Sequence, residues 1–146
     1  MNIKTFCFTA LAASILASGA LAADHEVRML NKGSNGQAMQ FEPAFLKIEP
    51  GDTVTFVATD KSHNSESLKS GIPEGATEWK GKINEEIKVT FEAEGLYAYK
   101  CTPHLGMGMV GLIQVGEDAS NVDAVQAIKL PPKARNLMAE LISQVE

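Results

Sequence analysis

Residues 101–109 constrain the fold of this chain more than any other segment, because a thiol, an imidazole and a thioether lie together in one short stretch. Proline and glycines within the stretch predict a loop rather than a helix or a strand. Just before it, Tyr97, Tyr99 and Cys101 recur at the period of two that places side chains on one face of a strand. Residues 110–115 are an apolar run that predicts a returning strand. We therefore expect an inward-facing thiol at a strand end, in a loop held between two strands.

The thiol, imidazole and thioether of this loop indicate a metal site only when they are considered together. A free cysteine, or a methionine beside an apolar strand, is usually core packing. Here Cys101, His104 and Met109 follow the spacing Cys-x2-His-x4-Met, and His63 stands in an earlier turn. Two imidazole nitrogens, a thiolate and a weak axial thioether are the donor set of a blue-copper site. Spacing alone leaves Met107 as a competitor of Met109 for the axial place.

The start of the chain is typical of a secretory signal. Residues 1–22 have a positive beginning, an apolar stretch and a small-x-small cleavage signature that ends at Ala22. Cleavage there leaves residues 23–146, a length that suits one domain with one hydrophobic core. No later segment is apolar enough to span a bilayer, so no membrane anchor is expected after cleavage. Cys101 would be the only thiol of the mature chain, which excludes an internal disulfide.

Charge disfavours one class of partner. The chain has 13 Lys and Arg against 18 Asp and Glu, a net charge of −5. Lys4 is the only charged residue of the expected signal, so the mature chain is more acidic by about one unit. No binding to nucleic acid is expected, since general binding needs a basic surface.

Hydrophobic periodicity predicts a mainly β fold. Alternation at period two predicts strands around residues 26–29, 45–49, 53–58 and 87–91, besides the two that flank the loop. Turn residues make 60–83 a long excursion with one short strand. Beyond Gly116 the period becomes helical in two segments, the first with Ser120 as a possible cap and the second after Pro131-Pro132. Seven or eight strands followed by helices predict a β-sandwich whose helical tail covers about 119–145.

The loop and the strand before it resemble a known family. Gly95-Leu96-Tyr97-Ala98-Tyr99-Lys100-Cys101-Thr102-Pro103-His104, continued to Met109, closely resembles the copper-binding signature of the cupredoxins. Residues 24–146 as a whole resemble the pseudoazurin branch of that family. The similar segments are 29–33, 41–44, 50–56, 72–76 and the two-helix tail, and the tail distinguishes the chain from plastocyanin and amicyanin.

The resemblance implies an eight-stranded Greek-key β-sandwich with two C-terminal α-helices and one type 1 copper ion. It implies a periplasmic one-electron carrier, not an enzyme, that delivers electrons to denitrification enzymes such as copper nitrite reductase. The protein would bind nitrite reductase and c-type cytochromes in weak, transient complexes. It is expected to be a monomer.

The resemblance also implies roles for individual residues. The resemblance makes His63, Cys101, His104 and Met109 the copper ligands. Asn64 would pin the ligand loop to the neighbouring strand, and Met39 would lie against His104. A ring of lysines around the copper edge would dock acidic partners: Lys32, Lys61, Lys80, Lys82 and Lys100. His25, near the mature terminus, is interpreted as a plain surface residue.

Three residues depart from the family pattern. Ser62 stands where glycine commonly precedes the first ligand histidine, and Leu105 stands where an aromatic residue often follows the second. Gln40 replaces an apolar residue after Met39. These changes bear on the axial side of the site, the fit to partners and the reduction potential, and none removes a ligand.

Other functions use part of the same donor set. A periplasmic copper chaperone or buffer would use the same soft donors. A cysteine-nucleophile enzyme would use Cys101 beside a histidine, but it leaves the spacing of Met109 unexplained. A zinc site is disfavoured because structural zinc sites use four cysteine or histidine donors.

Overall fold

The structure, a computed structural model, describes residues 21–146. Residues 1–20, most of the expected export signal at 1–22, lie outside the described part. Within residues 21–146, no helix has the length and apolar character needed to cross a bilayer.

Two four-stranded sheets account for the strands of the described residues. The strands are β1 (Asp24–Lys32), β2 (Ala38–Glu42), β3 (Phe45–Ile48), β4 (Thr53–Val57), β5 (Glu66–Ser67), β6 (Ile87–Thr90), β7 (Gly95–Lys100) and β8 (Val110–Val115). The first sheet has the order β2-β1-β4-β6 and the second the order β3-β8-β7-β5. β1 pairs with β4, and β3 with β8, in parallel, and the other pairs are antiparallel. The predicted mainly β, eight-stranded Greek-key sandwich is confirmed.

The inner core lies between the two sheets and extends to the ligand loop. Val27 and Met29 of β1 are fully buried in it, as the alternation of that strand predicts. Tyr99 of β7 lies edge-on to Phe41 and Phe56, with ring centroids 4.7 and 5.1 Å apart. Cys101 and Met109 belong to the same buried cluster. The ligand loop therefore stands on a close-packed aromatic core, which limits its movement.

Two helices cover the outer face of the second sheet. They are α1 (Val122–Gln126) and α2 (Pro132–Ile142), and both predicted tail helices are thus confirmed. Val125, Met138 and Leu141 pack against outward-facing side chains of β7 and β8. These two strands are consequently buried on both faces, which explains their nearly continuous apolar sequence.

The predicted cap of the first tail helix is wrong. Asn121, not Ser120, occupies the N-cap position of α1. The Asn121 side chain is hydrogen-bonded to β7. Its Oδ1 accepts the Leu96 N–H at 2.9 Å, and its Nδ2 donates to the Leu96 carbonyl at 2.8 Å. The Ser120 N–H instead donates to Asp118 Oδ1 at 2.7 Å. A tertiary contact has overridden the local capping preference.

The excursion between β4 and β6 has the expected irregular form. It holds the two-residue strand β5 and a short 3-10 turn at Lys69–Gly71. Trp79 anchors it: the indole Nε1 donates to Ser65 Oγ at 2.9 Å, and the Trp79 N–H donates to Ser67 Oγ at 3.0 Å. The excursion is thereby fixed against the second sheet, next to the ligand loop.

Asp52 joins the beginning of β1 to the turn before β4. Its side chain is almost completely buried and accepts the Ala23 N–H at 2.7 Å, the Glu49 N–H at 3.0 Å and the His25 Nε2 at 2.8 Å. The first interpretation of His25 as a plain surface residue is therefore wrong. The Ala23 N–H, His25 and the Glu49 N–H together lower the pKa of Asp52 from 3.8 to about 2.

Replacing Asp52 with asparagine is expected to lower the free energy of unfolding by about 2 kcal/mol at neutral pH, since hydrogen bonds to a charged acceptor are lost. Because folding lowers the pKa of this carboxyl, its contribution is complete above about pH 4 and is lost as the pH falls towards about 2. The difference between wild type and variant should therefore shrink over that interval. Urea unfolding at a series of pH values measures it. Glu74→Gln, at an exposed position, is the control, and a difference that stays constant down to pH 2 would contradict the assignment.

Candidate metal centre

The loop between β7 and β8 is closed by main-chain hydrogen bonds among three of the candidate ligands. The Cys101 N–H donates to the Met109 carbonyl at 3.0 Å, and the Met109 N–H donates to the His104 carbonyl at 3.2 Å. The His104 N–H donates to the Cys101 carbonyl at 3.2 Å. A 3-10 turn at Thr102–Met107 lies between them and ends at Gly108, whose φ of 98° favours glycine. The backbone thus fixes the relative positions of these residues before any metal binds.

Three side chains converge at this end of the sandwich. The donor atoms of His63, Cys101 and His104 all lie within 4.8 Å of one another. Cys101 Sγ is 3.6 Å from Nδ1 of His63 and 3.5 Å from Nδ1 of His104. His63 and Cys101 are fully buried, whereas His104 is partly exposed. One imidazole edge therefore connects the cluster to solvent.

The spacing of these atoms fits a bound first-row metal ion. A metal about 2.0–2.1 Å from nitrogen and about 2.3 Å from sulfur, at a near-tetrahedral angle, separates the two donors by about 3.5 Å. The two sulfur–nitrogen distances already have this value. The thiol and two imidazoles also match the soft and intermediate donors that copper takes in blue-copper sites. In donor type and in sulfur–nitrogen spacing, the three residues fit a copper ion.

Met107 and Met109, between which the spacing does not choose an axial ligand, differ in burial. Met109 is 0% exposed and packs in the same cluster as Cys101. Met107 is 47% exposed. Burial beside Cys101 therefore favours Met109 over Met107 as the axial ligand.

His63 is oriented by a residue that the sequence analysis missed. Its Nε2 lies 2.9 Å from Asn31 Oδ1, and because that oxygen only accepts, Nε2 carries the hydrogen and Nδ1 is free to bind a metal. The main-chain N–H of Asn31 in turn donates to Asp60 Oδ2 at 2.7 Å. Burial, with a further contribution from His104, lowers the pKa of His63. The ring is therefore held neutral, in the tautomer that a ligand needs.

Replacing Asn31 with alanine is expected to weaken copper binding by about 10- to 100-fold, the usual cost of losing an outer partner of a ligand histidine. Asn31→Asp keeps the acceptor oxygen and should retain most of the affinity. Competition against a copper chelator measures both, with circular dichroism as the check on folding. Equal affinities for wild type and Asn31→Ala would show that this contact does not orient His63.

The environment of Cys101 combines burial with two backbone donors. Burial raises the pKa of its thiol, and the backbone amides of Asn64 and His104 oppose this and lower it. The Asn64 side chain also accepts the Thr102 N–H at 2.7 Å and donates to the Gly81 carbonyl at 3.1 Å. The first contact joins Asn64 to the ligand loop, and its predicted role in holding that loop stays a prediction. Because the metal takes a thiolate, binding must release the thiol proton.

The three residues that depart from the family pattern have different surroundings. Ser62 adopts a φ of 75°, a conformation that favours glycine, and its N–H donates to Asn84 Oδ1 at 2.6 Å. Leu105 packs against the helical cluster outside the second sheet. Gln40 lines a surface groove beside Met107. The predicted contact of Met39 with His104 stays a prediction, although β2 packs against the ligand loop.

The five predicted docking lysines do not have equivalent surroundings. Lys32, Lys61 and Lys82 are exposed, and no carboxylate of residues 21–146 lies within 4.0 Å of their ammonium nitrogens. Lys80 and Lys100 instead flank Glu66, at 3.6 and 3.8 Å.

Glu66 also connects these lysines to the ligand loop, because its Oε2 accepts the Thr102 hydroxyl at 2.8 Å. The sequence analysis missed this residue. Lys32, Lys61 and Lys82 are thus the predicted docking lysines whose charge no nearby carboxylate of the described residues offsets, and such charges attract an acidic surface most strongly.

Comparison with known proteins places this arrangement in context. Residues 27–116 match the family described as copper binding proteins, plastocyanin/azurin family. The chain is similar to the pseudoazurin of Paracoccus pantotrophus, with 55% identity over 138 residues, covering 93% of this chain and 94% of the relative. It is 50% identical over 146 residues to a putative pseudoazurin of Rhizobium leguminosarum bv. viciae, covering 99% and 95%.

A solved structure shares the fold over almost its whole length. A pseudoazurin from Sinorhizobium superposes with a TM-score of 0.82 at 52% identity, covering 85% of this chain and 97% of that one. The segment that matches the family, residues 27–116, includes His63, Cys101, His104 and Met109.

Proposed function

Since the chain belongs to the pseudoazurins, within the plastocyanin/azurin family of copper-binding proteins, we propose that it delivers single electrons in the periplasm to denitrification enzymes such as copper nitrite reductase. Membership of the family makes it a type 1 copper electron carrier rather than an enzyme. C-type cytochromes are proposed as further redox partners. The observation that carries the proposal is the convergence of Cys101 Sγ with the imidazoles of His63 and His104.

We propose His63, Cys101, His104 and Met109 as the four ligands. When bound, the copper ion supplies the one-electron Cu(II)/Cu(I) couple, which thiolate and imidazole donors together support. The loop hydrogen bonds hold the donor residues at fixed spacing, so little needs to move when the electron arrives. Complete burial of Cys101 and Met109 excludes water from the inner side of the site.

His104 is the proposed contact point for electrons. It is the least buried of the three clustered side chains, and Gly106 and Met107 of the same loop are exposed. Leu105, Gly106, Met107 and Pro43 are proposed to form an apolar rim around it; Leu105 is half-buried and Pro43 exposed. An apolar rim surrounded by lysines suits weak, quickly dissolving complexes, because charge speeds encounter more than it strengthens binding.

The expected processing is part of the proposal. Removal of residues 1–22 would leave a monomer of residues 23–146, working as one domain with the helical tail at about 119–145. The first sheet begins at Asp24, directly after the proposed cleavage point. Cleavage therefore would remove nothing from the described sandwich.

A copper chaperone or buffer is less well supported than a carrier. Handing over a metal requires ligands that an acceptor can reach. Cys101 and His63 are both 0% exposed, which leaves only His104 open to exchange.

The experiment is to mix the reduced, copper-loaded protein with copper nitrite reductase and follow the return of the oxidised visible spectrum after nitrite is added. Oxidation that requires both the enzyme and nitrite is expected. A protein that ferricyanide oxidises readily, but that nitrite reductase and nitrite do not, would contradict the proposed partner. Cell fractionation tests the periplasmic location separately.

A further inference from the structure

A second group of nitrogen donors lies at the other end of β1 from the metal centre. Asn31, which contacts His63, is near one end of this nine-residue strand, and His25 is near the other. At about 3.3 Å per residue the two ends are separated by about 20–25 Å. The main-chain nitrogen of Ala23 and the Nε2 of His25 both reach the carboxylate of Asp52, at 2.7 and 2.8 Å.

We propose that the processed N-terminus, Ala23-Asp24-His25, is a second metal site that binds Cu(II) or Ni(II) in a square plane of four nitrogens. This inference rests on the proposed removal of residues 1–22. The nitrogens are the new α-amine of Ala23, the main-chain nitrogens of Asp24 and His25, and Nδ1 of His25. Nitrogen donors in a square plane are the geometry that Cu(II) and Ni(II) favour.

The chemistry requires a histidine in the third position of the mature chain. From there its Nδ1 can close a chelate ring with its own main-chain nitrogen, and the α-amine and the intervening amide complete the plane. The α-ammonium and both amide nitrogens lose their protons to solvent on binding, the imidazole binds in its neutral form, and no electron is transferred. None of the three residues is a proline, so both amide nitrogens have a proton to lose.

The Asp52 contact is compatible with this chelate. The carboxylate binds His25 through Nε2, the ring nitrogen that the chelate does not use. It can therefore remain in place and orient the ring, as carboxylates commonly do for metal-bound histidines. Of the contacts to Asp52, the one from the Ala23 nitrogen must be given up.

Binding also has to release the first residues of β1 from the sheet. The Ala23 carbonyl accepts the Thr53 N–H at 2.9 Å, and Asp24 pairs with Thr53. Ala23 and Asp24 are exposed, and the first fully buried side chain of the strand is Val27. Terminal residues without buried side chains open at low cost. The core contacts from Val27 onwards can stay intact while the first residues turn to bind the metal.

The test uses copper-loaded protein that begins at Ala23, with the terminus verified by intact mass. Ni(II) alone is added, and binding is followed by mass spectrometry under native conditions and by the absorption of square-planar Ni(II). One Ni(II) per chain is expected. Adding one glycine before Ala23 keeps every side chain but moves His25 to the fourth position, and this variant should lose the binding. His25→Ala should lose it as well.

The blue absorption band reports the first centre in the same samples. If the protein that begins at Ala23 binds no Ni(II) while its band is intact, this site alone is overturned, whereas Ni(II) binding by that protein without the band would count only against the proposed carrier. Equal Ni(II) binding by the glycine-extended protein would overturn the assigned ligands. Protein recovered from the periplasm that begins at any residue other than Ala23 would overturn the site in the cell.

Discussion

Replacing Cys101 with serine is expected to abolish the intense thiolate-to-copper absorption of the copper-loaded protein while leaving the sandwich folded. The absorption requires a sulfur anion bound to copper, and a serine hydroxyl is neither soft nor ionised at neutral pH. Serine occupies nearly the same volume in the core position of Cys101, which is completely buried. Visible absorption, copper content and thermal unfolding, measured on one sample, test the three parts of this prediction.

Met107→Leu is the matched control for this substitution. It changes another sulfur-containing residue of the same loop, but one that is largely exposed, so the band should keep its position and intensity. A band that survives in Cys101→Ser would refute the ligand assignment. A band lost in Met107→Leu would reverse the choice between the two methionines.

Reversing the charge of Lys32 and Lys61 together, as Lys32→Glu with Lys61→Glu, is expected to slow electron delivery to copper nitrite reductase by about tenfold or more at low salt. Both side chains are exposed, and neither ammonium group is compensated by a nearby carboxylate of the described residues. The difference should shrink as salt is added, because screening shortens the range of the interaction to about 3 Å at 1 M. Stopped-flow rates over a series of salt concentrations measure it.

The control is the double reversal Lys69→Glu with Lys129→Glu. Both residues are exposed and lie outside the ring, so the net charge changes by the same amount while the proposed docking surface is unaltered. An intact blue band in each variant shows that the metal centre is preserved. Equal slowing by the two double variants would mean that total charge, and not this surface, governs the encounter.

Patterns local in sequence predicted most strands of the sandwich, though not β2 (Ala38–Glu42), and part of the candidate site. Val27 and Met29 alternate because one face of β1 is buried, and the same period puts Tyr97, Tyr99 and Cys101 on the inner face of β7. The loop brings Cys101 and His104 together over three positions, so their partnership is visible from spacing alone.

Contacts between distant segments were not predictable in this way. Asn31 meets His63 only because β1 and the turn after β4 end at the same edge of the sandwich. Glu66 reaches Thr102 through the pairing of β5 with β7. Asn121 displaced Ser120 as the helix cap because its side chain is held by Leu96 of a neighbouring strand. Each depends on strand pairing, which hydrophobic periodicity does not specify.

Whether Cys101 binds copper as an anion, with two imidazoles and Met109 around it, is tested most directly by optical and EPR spectra of the copper-loaded wild-type chain. An intense visible band together with an unusually small copper hyperfine splitting is the predicted result. A correctly folded protein that takes up Cu(II) and stays nearly colourless, with the EPR signal of an ordinary tetragonal site, would contradict it.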